Sequence, residues 1–229
     1  MGIAYNTSIV KRALQLQIDS SNVKSYPGSG TTLNDLSGNS YNGTIFGTPS
    51  FSNGLFTFDG VNDYVSFGNI DIVHGAFSIE VWFKGSTSQS GQYSALVSKD
   101  VSGSFGHYCM TSDINSTYVR FGFTGSLGQR EVANSAYTDL TTDAWFHYVG
   151  TWDGSSTLKL YRNNVLIGTN TGATGTLIEN TNNLTVGYRL SSGTSFFTGN
   201  IPIVRIYDTE LTSEEIEYSF ESTRGRFGI

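Results

Sequence analysis

From residue 13 to residue 207 the chain repeats one local pattern. Runs of about four to eight residues rich in Val, Ile, Leu, Phe, Tyr, Trp and Thr are closed by clusters of Gly, Asn, Asp or Ser. The runs fall at 13–18, 55–58, 64–67, 77–84, 93–98, 106–110, 118–123, 145–152, 158–162, 165–168, 184–188 and 201–207. A spacing of about 8–12 residues between turn signals is that of an all-β sandwich or barrel. In 77–84, Phe77, Ile79, Val81 and Phe83 share one face, and Ser78, Glu80, Trp82 and Lys84 share the other. Period two predicts a half-buried strand. Asn163-Asn164 suits a two-residue type I′ hairpin turn, because Asn tolerates positive φ. Residues 19–32, with Tyr26-Pro27-Gly28-Ser29-Gly30, and residues 35–43 read as loops.

One segment carries helix signals. Thr212 with Glu215 three residues on is a capping box, and Leu211 and Ile216 stand where a hydrophobic staple forms. Leu211, Ile216, Tyr218 and Phe220 are expected to pack on a sheet. The composition agrees with short strands and tight turns: 27 Gly, 15 Phe and 13 Tyr, with only 14% charged residues. There is no internal repeat and no low-complexity linker, so residues 1–229 are expected to form one domain.

A net charge of −6 with no Lys/Arg cluster repels phosphate backbones and argues against a nucleic-acid partner. No apolar stretch approaches the roughly 20 residues of a membrane helix. Residues 1–19 lack a basic segment followed by an apolar run, so no signal peptide is expected and synthesis is placed in a cytosol. Cys109 is the only cysteine, which rules out an internal disulfide; between Tyr108 and Met110 it reads as an inert thiol.

Six phrases in order carry a family resemblance: DLSGNSYNGT at 35–44, FTFDGVNDYVSF at 56–67, FSIEVWFK at 77–84, WFHYVGTWDG at 145–154, LKLYRNNVLIG at 158–168, and GNIPIVRIYDTELTSEEI at 199–216. Together they resemble the laminin G-like, pentraxin-like branch of the concanavalin A-like superfamily. The resemblance implies an all-β, two-sheet antiparallel jelly-roll sandwich, here with one short C-terminal helix. The flanks, residues 10–38 and 215–229, resemble proteins of this family from tailed bacteriophages. That implies a noncatalytic virion surface or decoration protein, made in the host cytoplasm. It would dock on a capsid or tail subunit through segments 2–11 and 223–229, and homo-oligomers fit the same role. The alternative is a glycan-binding lectin module of a fibre or of a secreted polysaccharide-processing system.

Glycosidases on this fold carry an E-x-D-x-E strand, whose glutamates share a face and bracket a sugar bond. The chain has no such strand: Glu80 has Trp82 and Lys84 as same-face neighbours, and Glu214, Glu215 and Glu217 lie on the helix. No enzymatic activity is expected. His107 and His147 are candidate bases or metal ligands; His147, within the strand phrase WFHYVGTW, reads instead as a hydrogen-bonded sheet histidine. Pentraxin-like relatives bind calcium between two loops. Asp100 matches the first, but the second, residues 190–198, has no acid, so no cofactor is required at that position. Asp35, Asp59 and Asp63 offer a candidate cluster for a structural calcium ion; the other reading is that they cap turns. For a glycan or partner contact the candidates are Tyr93, Phe105, Tyr188, Phe196 and Phe197, all at or near loops. Of Phe196 and Phe197, one is expected to face outward.

Overall fold

A computed structural model describes residues 9–72, 75–89, 94–99, 107–112, 117–178, 180–190 and 195–229. In chain order the strands are β1 (Leu14–Asp19), β2 (Thr32–Leu33), β3 (Gly43–Phe46), β4 (Ser50–Ser52), β5 (Leu55–Asp59) and β6 (Tyr64–Ser66). Then come β7 (Phe77–Gly85), β8 (Ala95–Lys99), β9 (Tyr108–Ser112), β10 (Val119–Gly125), β11 (Gly128–Ala133) and β12 (Trp145–Trp152). The last are β13 (Leu158–Arg162), β14 (Val165–Asn170), β15 (Thr185–Val186), β16 (Tyr188–Arg189), β17 (Ser195–Phe196) and β18 (Thr198–Tyr207), followed by helix α1 (Ser213–Thr223).

Two large sheets form the molecule. The first runs β14-β13-β12-β7-β18-β5-β4, with β1 also paired to β18; the second runs β11-β10-β9-β8-β15-β6-β3-β2. Strands β16 and β17 make a separate hairpin. Pairings among the described residues are antiparallel, as in the β7–β12 register from Phe77↔Trp152 to Lys84↔Trp145. The inward residues meet in an aromatic core where Phe77 contacts Tyr108, Phe121, Phe123 and Trp152. Gly150 on β12 faces the fully buried Phe121 ring, and a β-carbon there would run into that ring. The two sheets interlock at this point because one side supplies no side chain. This is the concanavalin A-like jelly-roll sandwich. No helix among the described residues is long and apolar enough to cross a membrane.

The Asn163-Asn164 turn has positive φ at both residues, 47° and 66°, as a type I′ turn requires. Helix α1 begins at the expected capping box: Thr212 Oγ1 accepts from Glu215 N–H, and Glu215 Oε2 accepts from Thr212 N–H. Short strands β2, β3, β4, β11 and β17 lie outside the runs picked out from the sequence. Most are two to four residues long and bounded by turn residues, too short for alternation to register.

Two expectations are corrected, on β7 and on Tyr218. Strand β7 is buried on both faces except at Lys84, not half-buried. Its second face is covered by α1 and the chain end: Trp82 stacks against Phe227 at 4.2 Å and Phe220 at 5.9 Å, and its Nε1–H donates to Thr223 Oγ1 at 3.0 Å. Segment 223–229, expected as a docking segment, runs along its own sheet with Thr223 and Phe227 packed on it and Arg224, Gly225, Arg226, Gly228 and Ile229 exposed. Arg226 clamps it there with two hydrogen bonds to the Asp19 carboxylate, at 2.7 and 2.9 Å. Tyr218, expected to pack on the sheet, stays 39% exposed because it falls on the far side of α1 from Ile216 and Phe220. Of the other docking segment, residues 2–8 lie outside the described residues; Val10 packs at the edge of the cluster formed by Tyr161, Tyr207, Leu211 and Ile216.

Candidate functional site

On the outer face of the second sheet, alternation places two rings side by side. In β3, Gly43 and Ile45 are buried while Thr44 and Phe46 face out; in β6, Val65 is buried between Tyr64 and Ser66. Phe46 and Tyr64 are cross-strand partners, and their rings stack at 4.7 Å with 5° between planes. The β16–β17 hairpin supplies a second pair in the same way. Tyr188 opposes Phe196, and their rings stack at 4.4 Å and 15°. Tyr64 joins the pairs, with its ring centroid 5.0 Å from Tyr188 and 6.2 Å from Phe196. The result is a continuous run of four rings, Phe46–Tyr64–Tyr188–Phe196. Phe46 at its end is 42% exposed.

Polar groups border the run. Ser66 lies two residues beyond Tyr64 on the same face, and the exposed Asn183 donates from Nδ2 to Ser66 Oγ at 3.3 Å. Burial, with Tyr64 alongside, raises the Tyr188 hydroxyl above its usual range, so it stays a neutral donor at physiological pH. Beneath the run, Asp63 ties two turns together by accepting from the N–H groups of Thr48 at 2.8 Å and Asp59 at 3.1 Å. Burial pushes its carboxyl up, partly offset by those amides. Gly47, at φ 76°, makes room, because a β-carbon there would collide with the Asp63 carboxylate. An apolar ring surface bordered by hydroxyl and amide groups has the chemistry to hold a pyranose, whose C–H face is apolar and whose rim is hydroxylic.

Of the aromatic candidates, the structure brings Tyr188 and Phe196 together. Phe197 is corrected: it points inward, is 0% exposed and packs edge-on to Phe83. Strand alternation decides this, since only one of two neighbours faces out. Tyr93 and Phe105 lie outside the described residues. Phe46 and Tyr64 were missed; β3 is too short for its alternation to be read from the sequence, and the pairing of β3 with β6 is what brings Phe46 beside Tyr64.

The carboxylate candidates sit in turns. Asp35 accepts from the N–H groups of Gln17, Ser37 and Tyr41 and from the Ser37 hydroxyl. Asp59 accepts from Val61 N–H at 2.8 Å. Asp59 and Asp63 share a turn, and Asp35 occupies another. Among the described residues no group of three or more His, Cys, Asp and Glu side chains is placed to hold a metal ion. Asp100 lies outside the described residues.

Glu80 and His147 meet on the outer face of the first sheet, sealed under α1. Glu80 Oε1 accepts from Arg205, from Ser219 Oγ at 2.6 Å, and lies 3.1 Å from His147 Nε2; Oε2 accepts from the Tyr207 hydroxyl at 3.2 Å. Burial pushes the Glu80 carboxyl up, but the Arg205 charge and the His147 and Ser219 contacts outweigh it and hold it at about 2. A general acid needs a raised value and contact with substrate. Glu80 is ionised and has no exposed surface. Sequence reasoning treated both residues separately; nothing local shows that a helix closes over them.

A family model for the concanavalin A-like lectin/glucanases superfamily, of laminin G type, matches residues 59–217. Among solved structures, the binding domain of paraclostridial mosquitocidal protein 1 superposes with a TM-score of 0.72 at 15% identity, covering 93% of this chain and 52% of that one. The binding domain of botulinum neurotoxin DC is similar in complex with SialylT (TM-score 0.67, 16% identity, 93% and 52% covered) and in complex with rat synaptotagmin II (TM-score 0.70, 16%, 93% and 52%). The chain spans about half the length of these binding domains. At such identity the likeness establishes the fold. No curated protein matches the sequence.

Proposed function

The chain belongs to the concanavalin A-like lectin/glucanases superfamily, and we propose that it is a noncatalytic, lectin-like module that binds a surface glycan on the outer face of its second sheet. The observation that carries this reading is the run Phe46–Tyr64–Tyr188–Phe196 bordered by Ser66 and Asn183. Support comes from the similar fold of a botulinum neurotoxin binding domain seen with SialylT. A glycan array followed by calorimetry tests it, each with and without chelator. Tyr188→Ala and Phe196→Ala each remove a ring contact worth about 0.5–1.5 kcal/mol and are expected to weaken binding roughly three- to tenfold. No binding by the wild type at millimolar glycan in either condition would sink the reading.

The flanking resemblance carries a second reading, a virion surface protein docked on a capsid or tail subunit. Docking would use segment 2–11 or the exposed residues of 223–229. Mass spectrometry of purified particles tests it; absence of the chain from every particle preparation removes it.

A further inference from the structure

We propose a second saccharide site on the first sheet: a cleft between β13 and the loop entering α1 that binds a single neutral pyranose. The cleft has a volume of about 270 Å³ and is lined by Lys159, Tyr161, Glu210, Leu211, Thr212 and Ser213. Ligand pockets run from roughly 300 to 1,000 Å³, so this one takes one ring rather than an oligosaccharide.

The Tyr161 side chain is the first observation. Its ring is largely buried while its hydroxyl, which makes no hydrogen bond to a described residue, is solvent-accessible where it borders the cleft, and so is open to a ligand. Burial raises this phenol above its ordinary range, against the opposing Lys159 charge, so it is a neutral hydroxyl that both donates and accepts.

The second observation is the pairing of charges at the rim. Lys159 Nζ donates to Glu210 Oε1 at 2.9 Å, with both side chains about one-third exposed. Hydrogen bonding to Glu210 keeps Lys159 protonated. The pair leaves ammonium hydrogens and a carboxylate oxygen facing the cleft side by side. An anion would meet the Glu210 carboxylate, and a cation would meet Lys159. Adjacent sugar hydroxyls, each a donor and an acceptor, satisfy both at once, while Leu211 supplies an apolar wall.

Third, the walls are held before any ligand arrives. Arg12 donates to Thr209 Oγ1 at 2.6 Å, to the Glu210 carbonyl at 3.0 Å and to the Glu215 carboxylate at 2.7 and 3.1 Å. Ser78 Oγ donates to the Thr209 carbonyl and accepts from Leu211 N–H, both at 2.9 Å. A loop fixed this way loses little freedom on binding. The site is independent of the ring run, which lies on the other sheet.

The test is an amide ¹H–¹⁵N titration of the whole chain with the methyl glycosides of glucose, galactose and mannose, and with sodium sulfate as an anion arm. At least one glycoside is expected to shift the Leu211, Thr212 and Ser213 amides at millimolar concentration, with sulfate doing less. Tyr161→Phe keeps the ring and removes one hydrogen bond, and is expected to weaken binding roughly three- to tenfold. Glu210→Gln, as a second variant of preserved shape, should weaken it as well. Tyr188→Ala should leave these shifts unchanged, which separates this site from the ring run. The proposal is overturned if no glycoside moves those amides, if sulfate moves them more, or if both variants bind as the wild type does.

Discussion

Glu80 is ionised in surroundings that, by burial alone, would neutralise it. Its charge persists because Arg205, itself buried, lies against it and three further groups, His147, Ser219 and Tyr207, point at its oxygens. A buried pair adds little over an apolar replacement, but breaking it by removing one partner costs about 3–5 kcal/mol. Glu80→Ala strands the Arg205 guanidinium in this way, and it should lower the melting temperature by roughly 6–20 °C for a domain of this size. The pH dependence follows from the depressed carboxyl. A group at about 2 in the native state and roughly 4.3 when unfolded contributes stability that is present above the unfolded value and lost as pH falls toward 2. Urea unfolding between pH 5 and 2 should show this loss in the wild type and a flatter profile in the variant. Equal slopes would mean that other carboxylates set the acid limit.

Helix α1 and the chain end act as one lid over β7. The helix start was legible because a capping box and a staple are local, spanning Leu211 to Ile216. The fate of β7 was not. Ser78, Glu80 and Trp82 alternate as a solvent-facing row does, and only a segment 141 residues away turns that row into interior. The lid also explains why polar residues stand there, since each has a partner in it or under it. Removing residues 223–229 takes away the Thr223 acceptor of the Trp82 indole N–H, the Phe227 ring stacked on it and the Arg226 clamp on Asp19. The truncated chain is expected to keep its β circular dichroism, to melt at a lower temperature and to show red-shifted tryptophan emission. Unchanged emission and melting would mean that the segment does not seal the sheet in solution.

At the scale of the whole molecule, two sheets close over an aromatic core and leave one outer face to the lid and the other to the ring run. The turns that hold this arrangement use backbone amides as partners for Asp35, Asp59 and Asp63, and we propose that they hold without an ion. Melting in chelator and in millimolar calcium should therefore agree. A site filled to 100 times its dissociation constant would add about 2.7 kcal/mol, a shift of several degrees. Should a shift occur that disappears in Asp100→Ala but survives Asp59→Ala and Asp63→Ala, the stabilising ion would lie in the family's loop instead. What the sequence determined by itself was the local part: most of the longer strands, the Asn163-Asn164 turn and the start of α1, which rest on periods of two and on turn and capping geometry that a window of a few residues contains. The jelly roll came from the resemblance carried by six ordered phrases. Tertiary structure alone decided that Phe46, Tyr64, Tyr188 and Phe196 form one surface and that Glu80 lies beneath a helix. Those are matters of which strands become neighbours and in what register, and side chains far apart in the chain meet only after that pairing is made.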